Sequence, residues 1–461
     1  MPEDKAILVG VELKGRKSAW TIQDSLDELS QLARTAGLAV VGRTWQKLAR
    51  RDPSTWIGSG KVEEIAALMA AEDARYVLFD DELSPGQQRN LEEALGENAQ
   101  VIDRTRLILD IFSLNARSRE GKIQVELAQY QYLLPRLAGM RGALAQQVGG
   151  SGAGPVGLRG PGETQLEMDR RQARRRITAL RRALEEVRTQ RHQHRRQRLR
   201  AGLPVIALVG YTNAGKSSLL NALTGAGVLV QDRLFATLDP TTRRLMLPEG
   251  REALLTDTVG FIRKLPHELV AAFRATLEGI EEAALILHVV DASHPHASEQ
   301  VSAVQAVLAS LHVAHTPLLM IWNKMDLLPD RSLPQPHGTA HQGSLAISAK
   351  TGENIPSLLR EVERVLAEGL SEVHLLIPYD RYDLVTLVYE QGTVKKKEDA
   401  AGGVRLSASV PRELEEKLAP FSEKKHHGRA KSQDLHRDAE GLLGQSPGGD
   451  DPDDGSGKDG T

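Results

Sequence analysis

A glycine-rich loop at residues 210–217 has the clearest chemical pattern in the chain. Its letters, GYTNAGKS, match the GxxxxGK[ST] pattern. The apolar run 203–209 precedes it and the helical pattern 218–223 follows, so a strand feeds a glycine turn that opens a helix. Backbone N–H groups then converge at a helix N-terminus, which favours phosphate. The loop predicts a nucleoside triphosphate site in which Lys216 contacts the terminal phosphates and the Ser217 hydroxyl binds Mg²⁺.

The motif DTVG at 257–260 closes a predicted strand and predicts a sensor of the γ-phosphate. The Asp257 carboxylate can hold Mg²⁺ through water, and the Gly260 N–H can reach the γ-phosphate. Phe261 stands where Ras-like enzymes place the glutamine that orients water, so slow intrinsic hydrolysis is expected. A partner surface, or a cation such as K⁺ held near Asn213, would supply the missing group. Alternatively, Asn213 only braces the loop.

Two further motifs predict which base is bound. NKMD at 323–326 ends in Asp326, which can accept two hydrogen bonds from guanine; adenine would leave it unpaired, at a cost of roughly 1–3 kcal/mol. Asn323 would brace the loops and Lys324 would lie along the base. SAK at 348–350 offers a backbone N–H to guanine O6. Because all these motifs end predicted strands of one sheet, they predict a guanine-nucleotide site.

A threonine-rich segment, FATLDPTTR at 235–243, is predicted to form the first switch loop. Thr237 is the preferred second Mg²⁺ ligand, with Thr241 and Thr242 as alternatives. Departure of the γ-phosphate would release this hydroxyl and the Gly260 amide together, so both loops would relax.

The predicted site residues fall into three overlapping sets, with GTP or GDP as the ligand. The predicted catalytic residues are Lys216, Thr237 and Gly260. The predicted metal ligands are Ser217 and Thr237. The predicted nucleotide-binding residues are Gly210, Tyr211, Thr212, Asn213, Ala214, Gly215, Lys216, Ser217, Phe235, Ala236, Thr237, Leu238, Asp239, Asp257, Thr258, Val259, Gly260, Asn323, Lys324, Met325, Asp326, Ser348, Ala349 and Lys350.

The composition narrows the class of protein. The 461 residues include no cysteine, which excludes disulfides and cysteine-based catalysis and fits a reducing compartment. No apolar run approaches the ~20 residues that cross a bilayer, and the N-terminus lacks signal-peptide features. We therefore expect a cytoplasmic protein without a membrane span, acting as a monomer.

Alternating strand and helix patterns predict an α/β protein built from several domains. The predicted segments are an N-terminal doubly wound α/β domain (1–112), a basic helical hairpin (113–202) with a glycine-rich tip loop (149–162), a Ras-like P-loop GTPase domain (203–368), a small α+β C-terminal domain (369–421) and a disordered tail (422–461). The strands predicted around the nucleotide motifs are 253–257, 284–290, 317–322 and 344–347.

The hairpin is predicted from two heptad patterns, which are typical of a coiled-coil seam. The apolar positions are Ile123, Leu127, Tyr130, Leu134 and Leu137 in the first helix and Ala173, Ile177, Leu180, Leu184 and Val187 in the second. The second helix is also strongly basic: residues 166–200 hold thirteen arginines and four acidic residues, a surplus of nine positive charges in a chain whose formal net charge is -2. This density favours contact with an RNA backbone over a merely solvated face.

A second glycine-rich segment, GSGK at 58–61, matches only half of a phosphate loop. Thr55 stands where the first glycine should be. A plain strand-to-helix turn is therefore favoured over a phosphate site.

With these motifs, the chain resembles the HflX family of ribosome-associated GTPases, within the Obg-like translational GTPases. The resembling segments are WIGSGK (56–61), DRTRLILDIF (103–112), QVELAQYQYLLPR (124–136), GPGETQLE (160–167), FATLDPTT (235–242) and DTVGFI (257–262). The resemblance runs from about residue 5 to 368. It implies binding to the large ribosomal subunit and its rRNA, with the tip loop near the peptidyl-transferase centre. It also implies splitting of stalled or idle ribosomes under stress.

Other function classes stay open at this point. One is a GTP-switched regulator of another assembly, either a ribosome maturation factor or a GTPase weakly associated with anionic membranes. Two features argue against membrane association. Arginines occupy nearly every face of the second hairpin helix, and its apolar positions are already used in the seam. A third class is an RNA-binding module that does not hydrolyse GTP.

Overall fold

The computed structural model describes residues 4–15, 20–96, 98–137, 165–200, 203–225, 227, 233–264, 279–311, 313, 315–328 and 343–423. The predicted tip loop (149–162) and all but the first two residues of the predicted tail lie outside these residues. The strands are β1 (Asp4–Leu13), β2 (Leu38–Leu48), β3 (Tyr76–Phe79), β4 (Gln100–Asp103), β5 (Val205–Gly210), β6 (Thr241–Met246), β7 (Glu252–Asp257), β8 (Leu285–Asp291), β9 (Leu318–Asn323), β10 (Gly343–Ala346), β11 (Leu370–Pro378), β12 (Thr393–Ala400) and β13 (Gly403–Pro411). The helices are α1 (Ile22–Thr35), α2 (Ser59–Glu72), α3 (Pro85–Leu95), α4 (Arg104–Asn115), α5 (Arg119–Leu133), α6 (Gln165–Arg200), α7 (Lys216–Thr224), α8 (Ala297–Ser310), α9 (Ile355–Glu368), α10 (Tyr382–Gln391) and α11 (Arg412–Leu418).

The N-terminal sheet is parallel, with strand order β2-β1-β3-β4. Both of its faces are buried: along β1, Ala6 and Leu8 pack with α1 and α4, whereas Ile7 and Val9 pack with α2 and α3. Alternate residues of a strand point to opposite faces, so an unbroken apolar run suits a sheet covered on both sides. The predicted doubly wound fold is confirmed.

Local capping starts several of these helices. Thr21 and Asp24 form a capping box at α1, and Ser84 and Gln87 form another at α3, each satisfying backbone N–H groups that a helix leaves free at its start. The segment 58–61 also begins a helix, α2. The Lys61 ammonium there is held by Glu64 at 2.6 Å, which agrees with the favoured strand-to-helix turn.

The predicted hairpin seam is present between α5 and α6. Leu127 of α5 packs with three residues of α6 in one apolar cluster, and two further residues of α5, together with the residue that follows this helix, line it. The α6 members are Ile177, Leu180 and Leu184, and the lining residues are Ile123, Tyr130 and Leu134. The Arg176 guanidinium donates two hydrogen bonds to Glu126 across the pair, at 2.7 and 2.8 Å.

The central sheet has strand order β10-β9-β8-β5-β7-β6 and is parallel except for β6, which runs antiparallel to β7. The four strands predicted around the motifs lie within a residue or two of β7, β8, β9 and β10. The edge strand β6 was not predicted, because its sequence TTRRLM is largely polar. The carboxyl ends of β5, β7, β9 and β10 lie along one edge of this sheet.

The C-terminal sheet is antiparallel, with strand order β11-β13-β12, and packs its apolar side against α10 and α11. The runs HLLI at 374–377 and VRLSASV at 404–410 predict strands, and both are found, somewhat longer, as β11 and β13. The edge strand β12 was missed. It carries three consecutive lysines at 395–397, a composition that protects an open sheet edge but gives little strand signal.

A buried arginine joins α4 to the N-terminal sheet. Arg104 is 2% exposed and pairs with Asp80 at 2.9 Å and with Glu28 of α1. Its guanidinium also donates to the Arg263 carbonyl at 3.0 Å. An unpaired charge at this depth is costly, so each partner depends on the others.

We predict that Arg104→Ala lowers the free energy of unfolding by about 3–5 kcal/mol, because the buried Glu28 would lose its cation and the buried Asp80 would keep only Lys264 as a cation. Denaturant titration followed by circular dichroism measures the change. The matched control is Arg106→Ala on the same helix, which breaks a part-exposed pair with Asp110 and should cost under about 1 kcal/mol. Equal losses for the two variants would contradict this interpretation.

Candidate functional site

Two glycines permit the sharp turn between β5 and α7. Gly210 has φ +155° and Gly215 has φ +93°, values that side-chain-bearing residues rarely adopt. Space is also lacking, because a Cβ on Gly210 would overlap the Val289 carbonyl and one on Gly215 would overlap the Asn323 amide. The loop therefore closes tightly around the N-terminus of α7, as the sequence pattern predicts.

Lys216, the first residue of α7, is buried inside the loop. Its Nζ donates to the carbonyls of Gly210 at 3.2 Å and Tyr211 at 2.9 Å. Burial lowers the pKa of Lys216 to about 8, although the Asp257 carboxylate acts in the opposite direction. The positive charge is thus poorly compensated by the protein, and an anion placed against it would stabilise the ammonium form.

Three oxygen-bearing side chains converge next to Lys216. The Ser217 hydroxyl donates to Asp257 Oδ2 at 2.7 Å and lies 2.9 Å from Thr237 Oγ1. Burial raises the pKa of Asp257 despite the nearby Lys216. The second oxygen of Asp257 is buried without a hydrogen-bond partner among the described residues. Such a set of hard oxygen donors around an under-compensated carboxylate fits Mg²⁺.

The two alternative threonines lie elsewhere. Thr241 and Thr242 are the first residues of β6, and Thr242 Oγ1 lies 3.0 Å from Thr256 Oγ1. The geometry thus favours Thr237 as the threonine of the metal site.

The DTVG motif passes directly under the glycine-rich loop. The Thr212 N–H donates to the Phe261 carbonyl at 2.7 Å, and the Phe261 N–H donates to the Gly210 carbonyl at 3.0 Å. Gly260 lies so close that a Cβ there would sit 3.0 Å from Lys216 Nζ. The Phe261 side chain is 3% exposed and is part of the apolar core, so it has no polar group to offer a water molecule.

The base motifs meet at the ends of β9 and β10. Asn323 Nδ2 donates to the Ala214 carbonyl at 2.9 Å, and its Oδ1 accepts from the Ala349 N–H at 3.0 Å. This one side chain ties the phosphate loop to both base motifs. The Ser348 hydroxyl donates to Asp326 Oδ1 at 2.6 Å, which orients the carboxylate predicted to bind guanine.

Lys324 follows with a φ of +65° and pairs with Asp291 at the end of β8, at 2.7 Å. The Met325 N–H donates to the Ile347 carbonyl at 3.1 Å, which joins the same two loops through their backbones.

A cavity of about 50 Å³ brings many predicted residues together. Its lining includes Thr212, Asn213, Gly215, Lys216, Ser217, Phe235, Ala236, Thr237, Thr258 and Gly260. The lining also includes Arg233, which was not among the predicted site residues. The only sequence signal for it was a positive charge four residues before Thr237. Three predicted residues point elsewhere: Leu238 is buried, the Tyr211 hydroxyl binds Glu28 and the Arg263 N–H, and the Asp239 carboxylate binds the start of α5.

Four family models match the chain in order. Their descriptions are GTP-binding GTPase N-terminal at residues 23–113, GTP-binding GTPase Middle Region at 115–198, 50S ribosome-binding GTPase at 205–324, and HflX C-terminal domain at 336–428.

Similar proteins cover nearly the full length. A protein named GTPase HflX from Caldanaerobacter subterraneus subsp. tengcongensis is 45% identical over 419 residues, 91% of this chain and 94% of that protein. GTPase HflX of Escherichia coli K12 is 41% identical over 410 residues, 88% of this chain and 94% of that protein. A GTP-binding protein from Sulfolobus solfataricus, solved with GDP, is 23% identical, with a TM-score of 0.41 over 79% of this chain and 99% of that chain.

We predict that Asp326→Asn weakens GTP binding by roughly 10–100-fold and strengthens binding of xanthosine triphosphate. The substitution replaces an acceptor with a donor at the base edge, where xanthine carries a carbonyl instead of an amino group. Competition titration with a fluorescent nucleotide measures both affinities.

The control is Asp383→Asn on α10, a helix without predicted nucleotide contacts. It should leave both affinities unchanged. A uniform loss of affinity for both nucleotides in Asp326→Asn would contradict a base-specific role.

Proposed function

Because the chain belongs to the HflX family of GTPases, we propose that it is a GTP-hydrolysing switch that binds the large ribosomal subunit. In its GTP state it dissociates or remodels stalled or idle ribosomes under stress. The description of the 205–324 match as a 50S ribosome-binding GTPase supports the ribosome as partner. The proposal depends most on one observation: Asp239 of the first switch loop accepts hydrogen bonds from the residues just before α5, the helix that pairs with the basic helix α6.

In the hydrolysis step a water oxygen attacks the γ-phosphorus. The bond from that phosphorus to the β–γ bridging oxygen breaks and its electron pair stays on GDP. Both protons of the water end on the released phosphate as H2PO4−, which can give one of them to solvent. Lys216 and the backbone N–H groups at the start of α7 hold the phosphate charge. Ser217 and Thr237 would hold Mg²⁺, with Asp257 behind them; the ion, when bound, neutralises charge between the β- and γ-phosphates.

The chain alone is a slow enzyme in this proposal. With Phe261 buried in the core, no side chain at that position orients the water. The missing group comes from the ribosome or from K⁺ held near Asn213, which has a φ of +61° and borders the phosphate cavity. Replacing K⁺ with Na⁺ in the assay separates the two sources.

The basic hairpin is the proposed rRNA-binding element. Arg174, Arg175, Arg181 and Arg182 are exposed on α6, and the apolar positions of that helix are used in the seam with α5. Exposed guanidinium groups on a rigid helix suit phosphate backbones, and counterion release makes such binding salt-dependent. Among the described residues, no helix combines the length and apolar character needed to span a bilayer.

We predict that turnover is low for the protein alone and rises at least about tenfold with purified large subunits, because the partner completes the site. Phosphate release measured with and without subunits checks this. Lys216→Ala should abolish turnover in both conditions. Unchanged turnover on adding subunits would remove the proposal.

We also predict that Arg174→Glu/Arg175→Glu weakens co-sedimentation with large subunits and lowers the salt slope of binding by about 2, since two phosphate contacts are lost. GTPase activity without ribosomes should not change. Vesicles of anionic lipid serve as the competing target, and stronger sedimentation with them than with subunits would favour a membrane role.

The matched control is Arg34→Glu/Arg89→Glu, which alters the net charge equally at exposed arginines of α1 and α3. If this control loses subunit binding to the same extent, the effect reflects overall charge and α6 is not the contact element.

A further inference from the structure

The α4–α5 connection, defined here as residues 115–121 to include the last residue of α4 and the first three of α5, contacts the first switch loop, residues 235–239. At one end of the loop, Asn115 Nδ2 donates to the Phe235 carbonyl at 3.0 Å. The Phe235 ring also packs edge-on against Phe112 of α4, with ring centroids 4.7 Å apart. The α4–α5 connection thus fixes the start of the loop.

The other end of the loop is held by a carboxylate. Asp239 Oδ2 accepts from the Arg117 and Ser118 N–H groups at 2.8 and 2.7 Å, and the Ser118 hydroxyl donates to Asp239 Oδ1. These groups lie at the start of α5, where free N–H groups and the helix dipole favour a negative charge. A Cβ on Gly121 would overlap Asp239 Oδ1, so a glycine is needed for this approach.

Thr237 lies between these two anchors. Its hydroxyl faces the Ser217 hydroxyl at 2.9 Å, in the oxygen set that fits Mg²⁺. Phe235 has a φ of +57°, an unfavourable backbone conformation for a residue with a side chain, and it persists because neighbours hold it. The loop is therefore shaped by contacts outside the nucleotide site.

We propose that Asp239 is a positioning residue: by capping α5 it holds Thr237 at the metal site, and it couples the γ-phosphate to the first helix of the hairpin. This rests on the proposed function, which assigns Thr237 to Mg²⁺. Coupling is reciprocal, so whatever orders Thr237 also strengthens the cap of α5, and a displaced α5 weakens binding of the triphosphate. Through this carboxylate, the identity of the bound nucleotide affects how firmly the start of α5 is held.

The main alternative is that Asp239 and Ser118 only stabilise α5. Ser118 is its N-cap and accepts from the Gly121 N–H at 2.9 Å, so its loss would destabilise the helix in any nucleotide state. A comparison of triphosphate with diphosphate distinguishes the two roles, because a purely structural cap has no preference between them.

The test measures the affinity of a non-hydrolysable GTP analogue and of GDP, both with Mg²⁺, by calorimetry on the full chain. Asp239→Ala and Ser118→Ala should each weaken the analogue by about tenfold and alter GDP affinity by less than about twofold. Asp239→Asn keeps a hydrogen-bond acceptor but loses the negative charge. Its affinity for the analogue should lie between that of Asp239→Ala and that of the unmodified chain. Thermal unfolding confirms that each variant is folded.

The matched control is Ser84→Ala. Ser84 is the N-cap of α3, accepting from the Gln87 N–H at 3.2 Å, and it has no contact with the switch loop among the described residues. Removing either serine removes the same kind of N-cap hydrogen bond. Only Ser118→Ala should discriminate against the analogue, and equal effects of the two variants would overturn the proposal.

A second readout does not involve binding strength. Amide hydrogen exchange at Arg117 and Ser118 should be slower with the analogue than with GDP in the unmodified chain. In Thr237→Ala this difference should disappear, while the analogue also binds more weakly.

The outcomes separate the two proposals. If Thr237→Ala leaves analogue affinity unchanged, the assignment of the metal ligand fails and the coupling fails with it. If Thr237→Ala weakens the analogue but Asp239→Ala does not, the metal assignment stands and the positioning role of Asp239 is overturned.

Discussion

The nucleotide site depends on two opposite charges, Lys216 and Asp257, which are buried next to each other. Their hydrogen bonds within the protein do not fully offset the cost of burying either charge. Burial lowers the pKa of Lys216 and raises that of Asp257, so each ionised group is destabilised by its surroundings. Their mutual attraction offsets part of this cost. In the proposed function, a phosphate group beside the ammonium and a divalent cation beside the carboxylate would supply the rest. The two glycine turns, the parallel strand ends and the Asn323 brace all hold these charges where solvent cannot screen them.

Both loops that border the phosphate cavity contact the part of the chain that precedes the GTPase domain. The first switch loop ends at Asp239 on the start of α5. The segment after the DTVG motif contains Lys264, which pairs with Asp80 and Asp81 near the buried Arg104. The apolar core is also shared, since residues of α4 and of both loops belong to one cluster. A movement of either loop would therefore disturb buried charges or this core, which is tightly packed.

The features predicted correctly from the sequence are those set by neighbouring residues. The features that were missed depend on residues far away in the chain or on weak strand patterns. The phosphate loop, the order of the motifs and the hairpin seam follow from short-range patterns, and the structure has them where they were expected. The strands β6 and β12 were missed because edge strands need few apolar residues. Asp239 was assigned to the nucleotide because it lies in the switch segment, but its partners are more than a hundred residues away in the chain. No local pattern reveals such a contact.

The backbone around the phosphate cavity is held in unfavourable conformations at three positions. Asn213, Phe235 and Lys264 all have positive φ values, at 61°, 57° and 54°, and they lie in the three loops that surround the site. Each such residue costs of order 1–3 kcal/mol and persists only while its neighbours enforce it. These conformations therefore depend on contacts that the neighbouring residues make. In the proposed switch, the γ-phosphate and its cation would add to those contacts, and their loss would favour relaxation of the loops.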